Sequence, residues 1–170
     1  KQLYKAIVEE GNNHNLTHCG MHAMDTMRME NGFLHWGHDI SPEENQYQAG
    51  LDFAISYKKN VDFLGKDALL KIKDKKNQKK MIMLTLKDKK PGDPLLLHDE
   101  PIYLDDRIIG RTTSGNYSFN FNKNLTFGYV DRDFNNLDTS KHKIYVEVGK
   151  VKYEAEYLPK VLNQNNYKTI

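Results

Sequence analysis

Residues 20–41 read GMHAMDTMRMENGFLHWGHDIS, and this stretch is the most informative part of the chain. Its first half has the pattern of a helix over about Gly20–Glu30, and Asn31-Gly32 ends that helix. Aromatic, histidine and acidic side chains then follow the glycine closely, between Phe33 and Asp39. The stretch therefore predicts a helix that leads into a chemically dense turn. The side chains that share one face of this helix are Met21, Met24, Met27 and Arg28.

The residues on either side predict further helices and one strand. An apolar stripe at helical spacing, formed by Leu3, Tyr4, Ile7 and Val8, predicts a first helix packed against a neighbour. Gly11 and the two asparagines after it are typical of a left-handed helix end. Ser41-Pro42-Glu43-Glu44 has the form of a helix start. Ala49–Tyr57 indicates a strand, and Phe63–Lys73 another short helix.

The sequence changes character after a lysine-rich tract, where we expect a domain boundary between about residues 74 and 80. Alternating strands then recur every ten to fifteen residues or so, which favours a small antiparallel barrel or sandwich. Thr112–Gly115 is interpreted as the end of a hairpin. The fold class is therefore α+β. The predicted strands are Met81–Leu86, Ile102–Leu104, Ile108–Gly110, Leu125–Val130, Lys143–Val148 and Lys150–Tyr157.

Composition excludes several classes of protein. A net charge of +2 does not favour a nucleic-acid partner, and no apolar run is long enough to predict a membrane span. The single cysteine, Cys19, fits a reducing compartment, so we expect a cytoplasmic location. The chain begins at Lys1, without a methionine and directly in a helical pattern. We therefore expect it to be a fragment of a longer protein.

Residues 18–39 contain candidate metal ligands and a candidate nucleophile. His35, His38 and Asp39 could bind a metal, and Cys19 stands near further histidines. Histidines beside glycine more often bond to backbone, so we predict no metal. Cys19 lacks an acidic neighbour or an oxyanion turn, which favours a half-buried structural cysteine.

The charged and aromatic side chains around the helix end each have two possible interpretations. Arg28 and Glu30, near the end of the helix, could form a structural ion pair or a cap contact to a neighbouring loop, or they could contact a ligand. Trp36, together with Phe33, could stack on a flat heterocycle or close the core at a domain junction. The residues alone leave both questions open.

Residues 28–40 resemble the folate-dependent glycine-cleavage T-protein family, in which an Arg-x-Glu helix leads into an aromatic-Gly-x-Asp-Ile turn. Five further segments resemble the family in the same order, so the likeness extends over essentially the whole chain. Those segments are Gln48–Phe53, Asp62–Leu69, Ile109–Gly115, Phe127–Val130 and Leu158-Pro159.

The resemblance implies both a fold and a set of site residues. Residues 1–74 would be the last part of a folate-binding domain, and residues 80–170 a C-terminal β-barrel. The family's catalytic aspartate lies upstream of anything matched here, so the chain would hold no catalytic residue and turn over nothing alone. The residues implied to face tetrahydrofolate are Arg28, Phe33, Trp36 and Tyr167.

Within the family, the turn at His35–Ile40 looks most like the folate halves of the dimethylglycine and sarcosine dehydrogenases. These enzymes carry FAD in an upstream domain and pass a one-carbon unit from a small methylated amine to tetrahydrofolate. Met24 stands where glycine-cleavage proteins have a ligand-binding arginine, which also favours that branch. The alternatives are a T-protein that works with a lipoyl carrier protein, and a non-catalytic folate-binding module.

Overall fold

The computed structural model describes residues 1–73, 75, 79–90, 92–131, 134, 141–159 and 162. Helices occupy the first part of the chain and strands the second, which confirms the α+β class. The helices are α1 (Gln2–Gly11), α2 (Met21–Glu30) and α3 (Lys66–Lys73). The strands are β1 (Lys80–Leu86), β2 (Pro101–Leu104), β3 (Arg107–Ser118), β4 (Lys123–Val130), β5 (Ile144–Val148) and β6 (Val151–Leu158).

Within the described residues, the six strands close into a barrel in the order β1-β4-β3-β2-β5-β6. All neighbouring strands are antiparallel, and β6 returns to pair with β1, so Leu84 lies opposite Tyr157. The barrel alternative is therefore confirmed over the sandwich. Closure leaves no free sheet edge, which removes the main route to strand-mediated aggregation.

Strands β1 and β4 are buried on both faces. Alternate side chains such as Ile82, Leu84 and Val130 fill the barrel interior. Those between them, including Met83 and Phe127, point outward and form a second apolar cluster with Met29 of α2. Because both faces are covered, these strands read in the sequence as nearly continuous apolar runs.

Helix α2 packs against the outside of the barrel through Thr26, Met29 and Glu30, which recur at the spacing of one helix face. The methionine face noted in the sequence is a different one, and it is exposed in this structure. Glu30 is buried and accepts hydrogen bonds from Ser118 Oγ at 2.5 Å and Asn120 Nδ2 at 2.7 Å. Glu30 therefore makes structural contacts, with the end of β3 and with the loop that follows it.

Helix α1 forms as predicted, but Leu3, Tyr4 and Ile7 of its apolar stripe are exposed among the described residues, and Val8 is half-buried. The left-handed residue after it is Asn15 (φ 55°), whereas Gly11 and Asn12 keep right-handed helical angles. Gly11 is required for space instead, because a Cβ there would lie 2.5 Å from a Leu16 side-chain carbon. The prediction of a left-handed end at Gly11 was therefore wrong.

Two further predictions for residues 41–57 were wrong. Ser41 does bond to Glu44 as in a helix start, yet no helix follows. Asn45 Oδ1 instead accepts from the backbone N–H groups of Tyr47 and Gln48, and such local bonds compete with a helix. Residues 49–57 form turns and a short 3-10 segment, Asp52–Ala54, rather than a strand.

Candidate functional site

The turn after α2 is held by one buried carboxylate. Asp39 is 0% exposed, and its Oδ2 accepts from the backbone N–H of His35 at 2.8 Å. The turn also closes through its backbone, because Gly37 N–H donates to Ile40 O at 2.8 Å. Gly37 has φ +90°, an angle that a residue with a Cβ rarely adopts. Trp36 lies at the base of this turn, where its backbone forms a bridge with Ile40.

Arg28 joins this turn to the helix and to the barrel. Its Nη1 donates to Asp39 Oδ2 at 2.8 Å and to Phe33 O at 3.1 Å. Its Nε donates to Asp25 Oδ1 and its Nη2 to Ser114 Oγ, each at 2.8 Å. These contacts are those of a structural ion pair. A further contact of Arg28 with folate stays a prediction.

A bulge in β3 completes the network. The pairing of β3 with β4 shifts register between Thr112 and Ser114, so Thr113 is an extra residue on its strand. Thr113 Oγ1 donates to Asp39 Oδ1 at 2.6 Å, while its neighbour Ser114 bonds to Arg28. Adjacent residues of a regular strand point to opposite faces, so both contacts on one side depend on the bulge. Thr112–Gly115 thus lies within β3 and is not a hairpin end.

Beside this network runs a mostly apolar groove of about 830 Å³. It lies between the segment after α2 and the outer surface of β1, and Phe33 lines it while being 54% exposed. The groove is large enough for a small organic ligand. Its lining includes Leu34, Ile40, Ala49, Leu51, Met81 and Phe127.

Trp36 is on the same turn but does not line the groove, and it is 65% exposed. An indole with this exposure does not close the core of the described residues, so that alternative does not fit Trp36. The structure thus places Arg28, at the end of α2, in contact with the segment that carries Phe33 and Trp36. Tyr167 lies outside the described residues.

A second cavity, of about 650 Å³, lies on the other side of the turn. Burial alone would raise the pKa of Glu44, but hydrogen bonds from Lys79 at 2.6 Å and from Ser41 lower it overall. The Tyr129 hydroxyl is buried here and has no hydrogen-bond partner among the described residues. Burial, with Glu44 and Asp39 nearby, raises the pKa of Tyr129, so the phenol stays neutral.

The candidate metal ligands do not converge. Across the described ranges, no three or more His, Cys, Asp or Glu side chains are grouped as a metal ion would need. His35 and His38 contact edge to face at 4.6 Å between ring centroids. Cys19 is exposed rather than half-buried, so that expectation was wrong. None of the helices in the described ranges has the length and apolarity needed to cross a membrane.

Comparison with known proteins matches two family models in chain order. The model described as the GCVT N-terminal domain matches residues 1–59. The model described as the glycine cleavage T-protein C-terminal barrel domain matches residues 79–163, half of the chain. The chain therefore belongs to the glycine cleavage T-protein family.

Curated relatives include both branches expected from the sequence. The 4-methylaminobutanoate oxidase (formaldehyde-forming) of Paenarthrobacter nicotinovorans is 39% identical, over 75% of this chain and 15% of its own length. An aminomethyltransferase of Symbiobacterium thermophilum is 36% identical, over 75% of this chain and 33% of its own length. The mitochondrial dimethylglycine dehydrogenase of Homo sapiens is 35% identical, over 75% of this chain and 14% of its own length. The chain thus spans a third or less of these relatives.

The fold also matches a solved structure. The glycine cleavage system aminomethyltransferase T from Bartonella henselae superimposes with a TM-score of 0.76 at 20% identity, covering 95% of this chain and 44% of that one. At this identity the match shows the fold alone. The expected architecture, a folate-domain-like helical part before a small barrel, is confirmed.

Sequence reasoning missed the roles of Asp39, Thr113 and Ser114. Asp39 was considered only as a metal ligand, whereas it is the buried acceptor at the centre of the network. The sequence feature that could have indicated the role of Asp39 is an arginine near a helix end, Arg28, followed by an acid beside a glycine in the turn. The barrel hydroxyls gave no such signal, because they lie far along the chain and reach Asp39 and Arg28 only through the bulge.

Proposed function

We propose that this chain supplies the folate-facing turn and the C-terminal barrel of an aminomethyltransferase-like enzyme. The whole protein would couple flavin-dependent oxidation of a small methylated amine, such as dimethylglycine or sarcosine, to one-carbon transfer onto tetrahydrofolate. The observation that carries the proposal is the exposed pair Phe33 and Trp36 on a turn locked by Asp39. Family membership supplies the chemical context.

The residues present fit a flat, partly apolar ligand. Phe33 lines a groove of about 830 Å³, and exposed aromatic faces stack well on heterocycles. In this proposal Phe33 and Trp36 contact tetrahydrofolate, and Arg28 holds their turn in place while reaching the ligand at its edge. Tyr167 is assigned to the same ligand on resemblance alone. Bound tetrahydrofolate would supply the nucleophilic amine that accepts the one-carbon unit.

No catalytic residue is assigned within this chain, and none of its residues is assigned to FAD. The chain would act by binding and orientation, which can supply much of a rate enhancement when the reacting groups are held in register. We further propose a boundary that assigns residues 1–74 to the folate-binding domain and residues 80–170 to the barrel. The expected cytoplasmic location rests on cysteine usage and belongs to this proposal.

A T-protein proper is the second candidate. The aminomethyltransferase of Symbiobacterium thermophilum and the dimethylglycine dehydrogenase are almost equally similar to this chain. In that case the donor is an aminomethyl group on a lipoyl carrier protein. Assaying the full-length protein with dimethylglycine and with an aminomethyl-loaded carrier distinguishes the two, because only the first requires a bound flavin.

Replacing Trp36 tests the folate assignment. In the full-length protein, Trp36→Ala should weaken tetrahydrofolate binding by about 1–3 kcal/mol, the contribution of one aromatic–base stack. Isothermal titration calorimetry measures the change. Phe119→Ala is the matched control, because Phe119 is also an exposed aromatic but lies outside the turn that carries Phe33 and Trp36. Unchanged affinity with a lowered melting temperature would instead make Trp36 a structural residue.

A further inference from the structure

A smaller cavity of about 300 Å³ lies elsewhere, where the chain leaves β1 and passes beside β3. Apolar side chains form most of its wall. Leu96 is buried against Gly115, where a Cβ would lie 2.5 Å from a Leu96 side-chain carbon. Leu95 and Phe119 are exposed at its rim, and Phe119 packs edge to face on Tyr117 at 5.0 Å. The cavity shares no lining residue with either cavity beside the turn.

Lys89 lines this cavity and is only 8% exposed. Its backbone oxygen accepts from Asn124 Nδ2 at 2.8 Å, which fixes the main chain there. Its Nζ lies 5.6 Å from the centroid of the Tyr153 ring. Among the described residues, the Lys89 ammonium makes no ion pair or hydrogen bond. The residue is largely covered, but its ammonium keeps some contact with solvent, because Tyr129 Oη is the one fully buried side-chain N or O atom without a hydrogen-bond partner among the described residues. A partly desolvated ammonium without an anionic partner favours binding of an anionic ligand.

The two carboxylates nearest to Lys89 are engaged with other donors. Asp93 Oδ2 accepts from Lys90 N–H at 2.8 Å. Glu100 Oε1 accepts from Leu97 N–H at 2.9 Å, and its Oε2 accepts from Thr112 Oγ1. They attract the ammonium, but burial outweighs them and lowers the pKa of Lys89. Exposed Lys90 adds a second positive charge to the cavity lining.

We propose that this cavity binds a small organic carboxylate with an apolar body. The carboxylate would pair with the Lys89 ammonium, and the body would lie against Leu95, Leu97 and Phe119. Ionic hydrogen bonds are about twice as strong as neutral ones, and a pair here would offset the desolvation of Lys89. The proposal rests on the cavity and the unpaired lysine, and it does not depend on folate binding.

Titration with hexanoate tests the proposal on the full-length protein, followed by leucine-methyl NMR. We expect hexanoate to shift the Leu95 and Leu97 methyl signals, and the neutral isostere hexanamide to bind at least about tenfold more weakly, as the loss of one charged hydrogen bond implies. Lys89→Met should weaken hexanoate binding by about 10–100-fold. Lys87→Met is the control, because Lys87 is exposed and pairs with Glu154 at 2.8 Å.

A second variant guards against a change in folding at Lys89. Leu95 is 70% exposed, so Leu95→Glu places a negative charge at the rim with little effect on the fold. It should weaken hexanoate binding by more than hexanamide binding, because the loss of the Leu95 contact affects both ligands whereas the added charge repels only the carboxylate. Equal binding of hexanoate and hexanamide, full hexanoate affinity in Lys89→Met, or no shift of the leucine signals at saturating hexanoate would each overturn the proposal. Folate binding should be unaffected throughout.

Discussion

Asp39 and Arg28 illustrate how a single buried pair fixes the turn that carries the exposed aromatics. The carboxylate accepts from Arg28, from the His35 backbone and from Thr113, so both oxygens are engaged. Removing Arg28 would leave the buried Asp39 charge with neutral hydrogen-bond donors, and removing Asp39 would leave Arg28 with the partly exposed Asp25 as its acidic partner. The stability of the turn therefore depends on keeping the pair together.

A double-mutant cycle should reveal this coupling. Arg28→Met and Asp39→Asn should each lower the free energy of unfolding by about 3–5 kcal/mol. The double variant should lose clearly less than the sum, because neither charge is then left alone. Urea unfolding of the full-length protein measures all three. Asp25→Asn is the control and should lose no more than about 1 kcal/mol, since this partner of Arg28 is 28% exposed. Additive losses would contradict the coupling.

The buried Tyr129 hydroxyl leads to the opposite expectation. It has no hydrogen-bond partner among the described residues, so its burial carries a desolvation cost without a compensating bond. Tyr129→Phe should leave stability unchanged or raise it by about 1 kcal/mol. Tyr103→Phe is the control and should lower stability, because that hydroxyl donates to Glu147 Oε2 at 3.1 Å. A lower melting temperature for Tyr129→Phe would indicate a hidden partner such as a buried water.

At the scale of elements, the sequence was informative wherever a local period decided the structure. Helix α2 and five of the six strands were predicted close to their observed bounds, because apolar alternation is typical of a barrel wall. The exception is β3, which was predicted as Ile108–Gly110 but extends over Arg107–Ser118. The failures lie in residues 41–57, where side chains of Ser41 and Asn45 bond to nearby backbone groups. Such bonds depend on a few local angles, and no repeating pattern reports them.

The same segment is attached to the start of β1 by the pair Glu44–Lys79, with 2.6 Å between Oε1 and Nζ. The pKa of Glu44 is lower in the folded state than its ordinary value of 4.5. The Glu44–Lys79 pair therefore stabilises the folded state fully above about pH 4.5, and this contribution is lost as the pH falls through the folded-state pKa of Glu44.

Glu44→Gln should reproduce this loss at neutral pH. We expect the variant to be less stable than the parent at pH 7 by up to about 1 kcal/mol, and the difference to shrink as the pH falls through the folded-state pKa of Glu44. Unfolding in urea across this pH range provides the measurement. Glu43→Gln, an exposed neighbour, should show no such difference. A gap between Glu44→Gln and the parent that widens on acidification would show that the sign is wrong.

At the scale of the whole molecule, the described residues form two separate apolar clusters, and the one outside the barrel meets the helical part. The barrel closes on its own interior core, while a second apolar cluster joins Met29 of α2 to β1 and β4. This second cluster positions the turn of Phe33 and Trp36 beside the groove. The sequence could predict the barrel and the turn separately. It could not predict their junction, because the hydrogen bonds that join α2 and the turn to β3 span 74 to 94 residues of chain and involve ordinary polar side chains.

The most direct test of the central claim is a structure of the full-length protein with tetrahydrofolate bound. We predict that the heterocycle lies against Phe33 and Trp36, with the Arg28–Asp39 pair intact behind them. Tetrahydrofolate bound elsewhere, with Trp36 still exposed and the groove of Phe33 empty, would contradict it.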